Sequence, residues 1–470
     1  MTEARSYPLS DGPSPWHAGV LLAAFAVLSA GCAHRVWNEP LSPAGSVAPY
    51  DLSSRLPANA DDTFIVLAFS GGGTRSAAFA YGVLEKLRDT PVVVHGRAER
   101  LLDEVDVITA VSGGSYPAAY YGLFGDRLFA DFEAKFLRRD VQSELLWLLA
   151  RPSSLMAITG SDYNRADLAA ARFDKGLFEG RRFSDLSRGN LPFVIINASD
   201  LNNAATFSFI QPQFDFLCSN LASYPVANAV MASSAVPGAF GAIALRNYPD
   251  CPQRHPEWVT DALAHDDLLE RRYAVARALE RYSHPDRMPI LRLVDGGVTD
   301  NLGVRGSMMS PVAHLGNVPD MAGAFTPQQL ARVRHVLVIV ANAQVYPEHE
   351  WSVNGRDPGL RSNVMASFDA ALGILNTETA SLARQGFLMW EQHANARRGP
   401  AVPPVKVHFV VLTFNQIRDE DERRRFDGLP TRFRLDEADV TAVRELARRL
   451  LEESAEYHSF LGALQEVDSR

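Results

Sequence analysis

Cysteine is scarce in this chain of 470 residues, which holds only Cys32, Cys218 and Cys251. That usage excludes a disulfide scaffold, and the spacing does not suit zinc, so no metal site is implied. Positive charge is short as well: 46 Lys and Arg against 55 Asp and Glu leave a formal net charge of -9. Nucleic-acid binding wants a basic patch or stripe, and this balance offers none, so no nucleic-acid partner is expected. No apolar run reaches the roughly 18 residues that a membrane crossing needs, which excludes a polytopic membrane protein. What is present is an ordinary globular composition, 47% hydrophobic and 21% charged, enough for one large core or two modest ones.

Residues 18–30 (AGVLLAAFAVLSA) form an apolar stretch of signal-peptide length that runs into Gly31-Cys32. A small residue before a cysteine at such a point resembles a bacterial lipobox, although Ser29 stands where Leu is usual. The expectation is a signal peptide over 1–31, lipidation at Cys32, and a lipoprotein anchored in the cell envelope facing the periplasm. An uncleaved anchor or an ordinary signal peptide is the alternative. Cys218 and Cys251 stay open between two readings. Paired, they close a loop of about 33 residues with ~3–4 kcal/mol of stabilisation; otherwise they are two separately buried thiols.

Residues 32–60 are rich in Pro, Ser and Ala without a period, and read as a tether. From residue 61 short aliphatic runs alternate with helical stretches. Strands are expected at 63–69, 105–111, 193–197, 290–294, 335–340 and 405–412, and helices at 76–88 and 437–453. This alternation predicts an α/β fold, a three-layer sandwich with a mainly parallel central sheet and helices on both faces. The main domain is drawn over 61–415, with a C-terminal helical extension over 416–470. The apolar run Leu145-Leu146-Trp147-Leu148-Leu149 reads as a buried core helix, with a lid or acyl-chain wall as the alternative.

Three segments carry candidate chemistry, each where a strand gives way to a loop or helix, the rim on which open α/β sheets place ligands. Ser70-Gly71-Gly72-Gly73-Thr74-Arg75 is a glycine loop whose amides can converge on one anion. No Lys stands near it, so the Walker pattern fails and an oxyanion hole is the better reading. Val111-Ser112-Gly113-Gly114-Ser115-Tyr116-Pro117 looks like a nucleophile elbow. Gly-x-Ser-x-Gly is met in four of its places around Ser115, with Pro117 standing for the last Gly. Ser112 is the competing hydroxyl, and its place before two glycines fits the turn. Leu293-Val294-Asp295-Gly296-Gly297 delivers a carboxylate from a strand into a Gly-Gly turn, which alone reads more readily as a turn cap.

In this order the three segments resemble the patatin-like phospholipase family, over roughly residues 63–305. Asn197-Ala198-Ser199-Asp200-Leu201 and Ala232-Ser233-Ser234-Ala235-Val236-Pro237 are further matching pieces. The resemblance implies a Ser–Asp dyad with Ser115 as nucleophile and Asp295 as base. Gly71, Gly72 and Gly73 would form the oxyanion hole. Arg75 either fixes the loop or meets a substrate phosphate. Asp300 and Asn301 read as turn-formers, and His284 stays open as a further partner. The implied function is hydrolysis of lipid or phospholipid esters at a membrane surface reached through the N-terminal lipid anchor. An acyltransferase or thioesterase on the same dyad, or a non-catalytic lipid-binding lipoprotein, are the alternatives.

Overall fold

The computed structural model describes residues 35–41, 50–52, 62–94, 96–160, 163–186, 191–249, 256–265, 267–268, 270–306 and 331–468. Its centre is an eight-stranded sheet of β1 (Thr63–Phe69), β2 (Val105–Val111), β3 (Phe193–Asp200), β4 (Ala205–Ser208), β5 (Ile243–Arg246), β6 (Ile290–Val294), β7 (His335–Asn342) and β8 (Lys406–Thr413). The order is β8-β7-β1-β2-β3-β6-β5, and β4 folds back on the end of β3. From β8 to β3 all neighbours are parallel, whereas β4, β5 and β6 join by antiparallel pairing. Every residue of β1 and of β3 is buried, so both faces of the sheet are covered, and apolar residues fill β1 after Thr63 and the first half of β3.

Register explains why chemistry collects at one rim. Ala341 of β7 pairs with Phe69 of β1, Phe69 with Ala110 of β2, and Val111 with Asn197 of β3. β6 runs the other way and overlaps only the tip of β3, with Val294 opposite Ser199. Its next residues, Asp295 and Gly296, therefore come level with Asn197 and Val111. Gly296 is in contact range of both: a Cβ there would lie 2.8 Å from Val111 Cγ1.

Two boundaries differ from the sequence expectation. In the segment expected as a tether, Glu39–Pro40 pairs antiparallel with Ser219–Asn220, and Tyr50 is fully buried. The Tyr50 hydroxyl donates to the Val194 carbonyl at 2.9 Å and its ring stacks on Phe193 at 4.5 Å. Composition points to a tether; among the contacts that dock it are Tyr50 and Asn38, whose amide donates to the Arg246 carbonyl at 2.8 Å. The C-terminal segment is likewise part of the body. Helix α1 (Gly73–Arg88) packs against the helix Glu437–Glu452 so closely that a Cβ at Gly82 would run into the Arg444 carbonyl.

The apolar run 145–149 lies in the helix Val141–Ala150, but only Val141 and Leu145 are buried. Leu146 is 60% and Trp147 74% exposed, so the core-helix reading is corrected. Cys218 is disulfide-bonded, which removes the free-thiol reading for it. Cys32 and Cys251 lie outside the described residues, as does the apolar N-terminal stretch.

Candidate active site

The elbow begins where β2 ends. Ser112 takes φ +50, a left-handed conformation that costs a non-glycine residue free energy and persists only where the surroundings enforce it. The enforcement is visible. The Ser112 amide donates to Ser233 Oγ at 2.7 Å, and Ser233 Oγ in turn donates to the Asn197 carbonyl at 2.6 Å. Two glycines then let the chain turn beneath the neighbouring loop. A Cβ on Gly113 would collide with the Gly73 carbonyl, and one on Gly114 would sit 2.8 Å from the Ser70 carbonyl. Ser115 follows in ordinary right-handed geometry, φ -68 and ψ -25, at the start of helix α2 (Ser115–Phe124).

The hydroxyl that reaches Asp295 is that of Ser112, which donates to Oδ2 at 2.8 Å. Ser115, the serine expected there, is fully buried and its Oγ bonds Ser233 Oγ at 3.0 Å instead. Asp295 Oδ1 accepts from the Gly297 amide at 2.8 Å, so the carboxylate is held on both oxygens. Its own amide donates to Ala235, and the next amide, of Gly296, to Ser233. The segments 197–201 and 232–237 are thus the braces between elbow and Asp-Gly-Gly turn. Burial pushes the Asp295 carboxyl up from 3.8 to about 6, against the pull of the Ser112 and Gly297 hydrogen bonds.

The glycine loop does not offer three equal donors. Gly71 spends its amide on the Asn301 carbonyl at 3.0 Å. Gly72 and Gly73 take φ +138 and +62, conformations that favour glycine, and lead into α1, whose first turn has no intrahelical acceptors for their amides. Gly73 is fitted between Gly113 and the backbone of Arg432, whose carbonyl accepts from Thr74 at 2.8 Å. Residues 429–432, far along the chain, are therefore a wall of this site, and no local pattern marks them.

Arg75 is fully committed to that wall. Its Nε donates to the Ala343 carbonyl at 2.8 Å, one terminal nitrogen to the Leu429 carbonyl at 2.7 Å, and the other to Thr431 Oγ1 at 3.0 Å. Burial lowers its pKa to about 10. Of the two expected roles the loop-fixing one matches this geometry, and anion binding does not. Asp300 shapes the following turn by accepting from the Gly303 amide at 3.0 Å, and His284 pairs with Glu280 at 2.8 Å.

Gly-x-Ser-x-Gly fits two overlapping frames, around Ser112 and around Ser115, each with one mismatch. Around Ser112 the mismatch is Ala110 for the first Gly. The signal that separates them is position: the elbow serine is the first residue past the buried strand.

A parallel α/β sheet that brings a serine, an acid and backbone amides to one rim defines a serine hydrolase-like site. More narrowly, the patatin-like phospholipase family model matches residues 67–307, just over half of the chain, and the protein belongs to that family. No curated protein matches the chain. Among solved structures it is similar to human GIVD cytosolic phospholipase A2, with TM-score 0.43 and 14% identity, over 89% of this chain and 65% of that one.

Proposed function

We propose that this protein cleaves the carboxylic ester bonds of phospholipids or lysophospholipids with Ser112 as nucleophile and Asp295 as its general base. The observation that carries this is the 2.8 Å hydrogen bond from Ser112 Oγ to Asp295 Oδ2. Ser112 Oγ attacks the ester carbonyl carbon while its proton passes to Asp295. The carbonyl becomes a tetrahedral oxyanion, facing the amides of Gly72, Gly73 and Gly113 and the positive end of α1. Collapse breaks the ester C–O bond, and Asp295 returns the proton to the departing alcohol. Water then attacks the acyl-serine as Asp295 takes its proton; collapse breaks the Ser112 Oγ–acyl bond, Asp295 returns that proton to Ser112 Oγ, and the fatty acid leaves. A carboxyl titrating near 6 suits both transfers at neutral pH, because it is ionised at rest yet basic enough to take a proton.

The N-terminal expectation becomes part of this reading: lipid attached at Cys32 would keep the enzyme on a bilayer of the cell envelope. Only Ala33 and His34 lie between Cys32 and the docked segment that starts at Arg35. The test of the catalytic assignment is reaction with a fluorophosphonate, followed by mass spectrometry of the modified peptide. An adduct on Ser112 supports the dyad; an adduct on Ser115, or none on folded protein, overturns it.

A further inference from the structure

The helix pair Val141–Ala150 and Pro152–Gly160 carries one of two clusters of exposed apolar side chains among the described residues, the other lying along the helix Leu360–Arg397. Trp147 is 74% exposed, Met156 73%, Leu146 60% and Leu155 45%, four large apolar side chains within one helical hairpin. Single exposed hydrophobics are common, but such a cluster marks a contact surface. Charge sharpens this. The helix pair carries two charged side chains, Glu144, which is paired with Arg139 and Arg172, and Arg151, in a chain whose net charge is -9. Arg151 is exposed and pairs with no carboxylate among the described residues. Tryptophan and aliphatic side chains around a lone cation are the composition that lies in the interface of an anionic bilayer, with the rings at headgroup level.

Two further contacts fix where this surface sits. At one end, the Gln142 amide donates to the Phe433 carbonyl at 3.2 Å, one residue from the Arg432 carbonyl that walls the glycine loop. At the other, Tyr163 just past the second helix receives the N-terminal arm. The Arg35 guanidinium lies over both the Tyr163 ring, at 5.0 Å, and the Trp37 ring, at 4.1 Å, and Trp37 packs edge-on to Tyr163. The hairpin is therefore bracketed by the reactive rim and by the arm that leads back to Cys32.

We propose that this hairpin is the surface by which the protein sits on an anionic phospholipid bilayer. Leu146, Trp147 and Met156 enter the boundary between headgroups and acyl chains, and Arg151 meets lipid phosphates. The inference rests on the lipid-hydrolase reading and names the physical form in which that site meets its substrate.

The test uses the full chain with vesicles of phosphatidylethanolamine and phosphatidylglycerol carrying brominated acyl chains, which quench tryptophan on contact. Wild type is expected to lose tryptophan emission on binding, and Trp147→Phe to lose far less. Leu146→Glu is expected to weaken vesicle binding by about tenfold. Arg151→Glu removes the preference for phosphatidylglycerol over phosphatidylcholine vesicles. Ser112→Ala keeps the quenching while hydrolysis stops. Equal quenching in wild type and Trp147→Phe overturns the proposal, because any membrane contact then lies elsewhere, at the N-terminal stretch for example. So does a change of oligomeric state in Leu146→Glu with vesicle binding intact, which makes the hairpin a contact between copies. Hydrolysis of a water-soluble short-chain ester, which involves no bilayer, stays at the wild-type rate in Leu146→Glu. If wild type itself fails on that ester, the catalytic reading falls while the quenching result stands.

Discussion

The Ser112 hydroxyl and the Asp295 carboxylate meet at 2.8 Å across 183 positions of chain, and nothing intervenes between them. Ser115 lies one helical turn further on, and its hydroxyl is turned to Ser233. The two serines should therefore separate cleanly in mutants. Ser112→Ala is expected to abolish ester hydrolysis, whereas Ser115→Ala keeps most of the activity and loses about 1 kcal/mol of stability with its hydrogen bond. Steady-state hydrolysis and thermal melts of both variants check this.

The buried carboxyl gives activity and stability opposite pH dependences. As base it must be ionised, so kcat/KM rises with pH up to about 6 and levels off above. For stability the sign reverses. The folded-state pKa lies above the unfolded value of 3.8, so the native state holds its proton longer. This group costs nothing below about 3.8, and its cost grows as pH rises to about 6 and is then complete, at about 3 kcal/mol. Asp295→Asn is expected to be inactive yet to melt higher than wild type at pH 8, and the gain should vanish near pH 4. Melting curves across that range test it.

Gly113→Ala places a methyl group against the Gly73 carbonyl, where two backbones touch. The glycine loop must shift, and with it the amides facing the oxyanion, so a fall in kcat of ~10²–10³ is expected from loss of one donor. A fluorophosphonate rate that drops in parallel with kcat, while the far-ultraviolet circular dichroism is unchanged, is the outcome that supports it.

Arg75 separates a structural from a substrate-binding role. Its three donors end on Ala343, Leu429 and Thr431, so Arg75→Met leaves two buried carbonyls unsatisfied and should cost roughly 3 kcal/mol. KM for a phospholipid and for an uncharged ester should shift alike. A selective loss of phospholipid affinity contradicts the hydrogen bonding described.

The parts of this protein that were legible in the sequence are those with local causes. Thr63–Phe69 and Val105–Val111 declare themselves because a strand buried on both faces is mostly apolar, interrupted in the second only by Asp106 and Thr109. Asp295 stands out only beside the other two segments, because alone a strand running into Asp-Gly-Gly reads as a turn cap. Ser112 was not chosen because two frames of one motif overlap, and only the left-handed φ at the strand end tells them apart. The donors of the glycine loop were overcounted because the partner of Gly71, Asn301, is 230 residues away in sequence. The wall at 429–432 was invisible for the same reason: a carbonyl that accepts from Thr74 carries no side-chain signature. Exposure of Trp147 was missed because an apolar run of five looks the same whether it faces a core or a bilayer.

That wall also sets the order of events in biosynthesis. Gly73 and Thr74 are made early, but the carbonyl that seats them belongs to Arg432, and the guanidinium of Arg75 has no home until Leu429 and Thr431 exist. A ribosome-bound chain can build β1, β2 and the elbow and still lack a seated glycine loop. The seat of the glycine loop is thereby supplied only by chain made about 350 residues later.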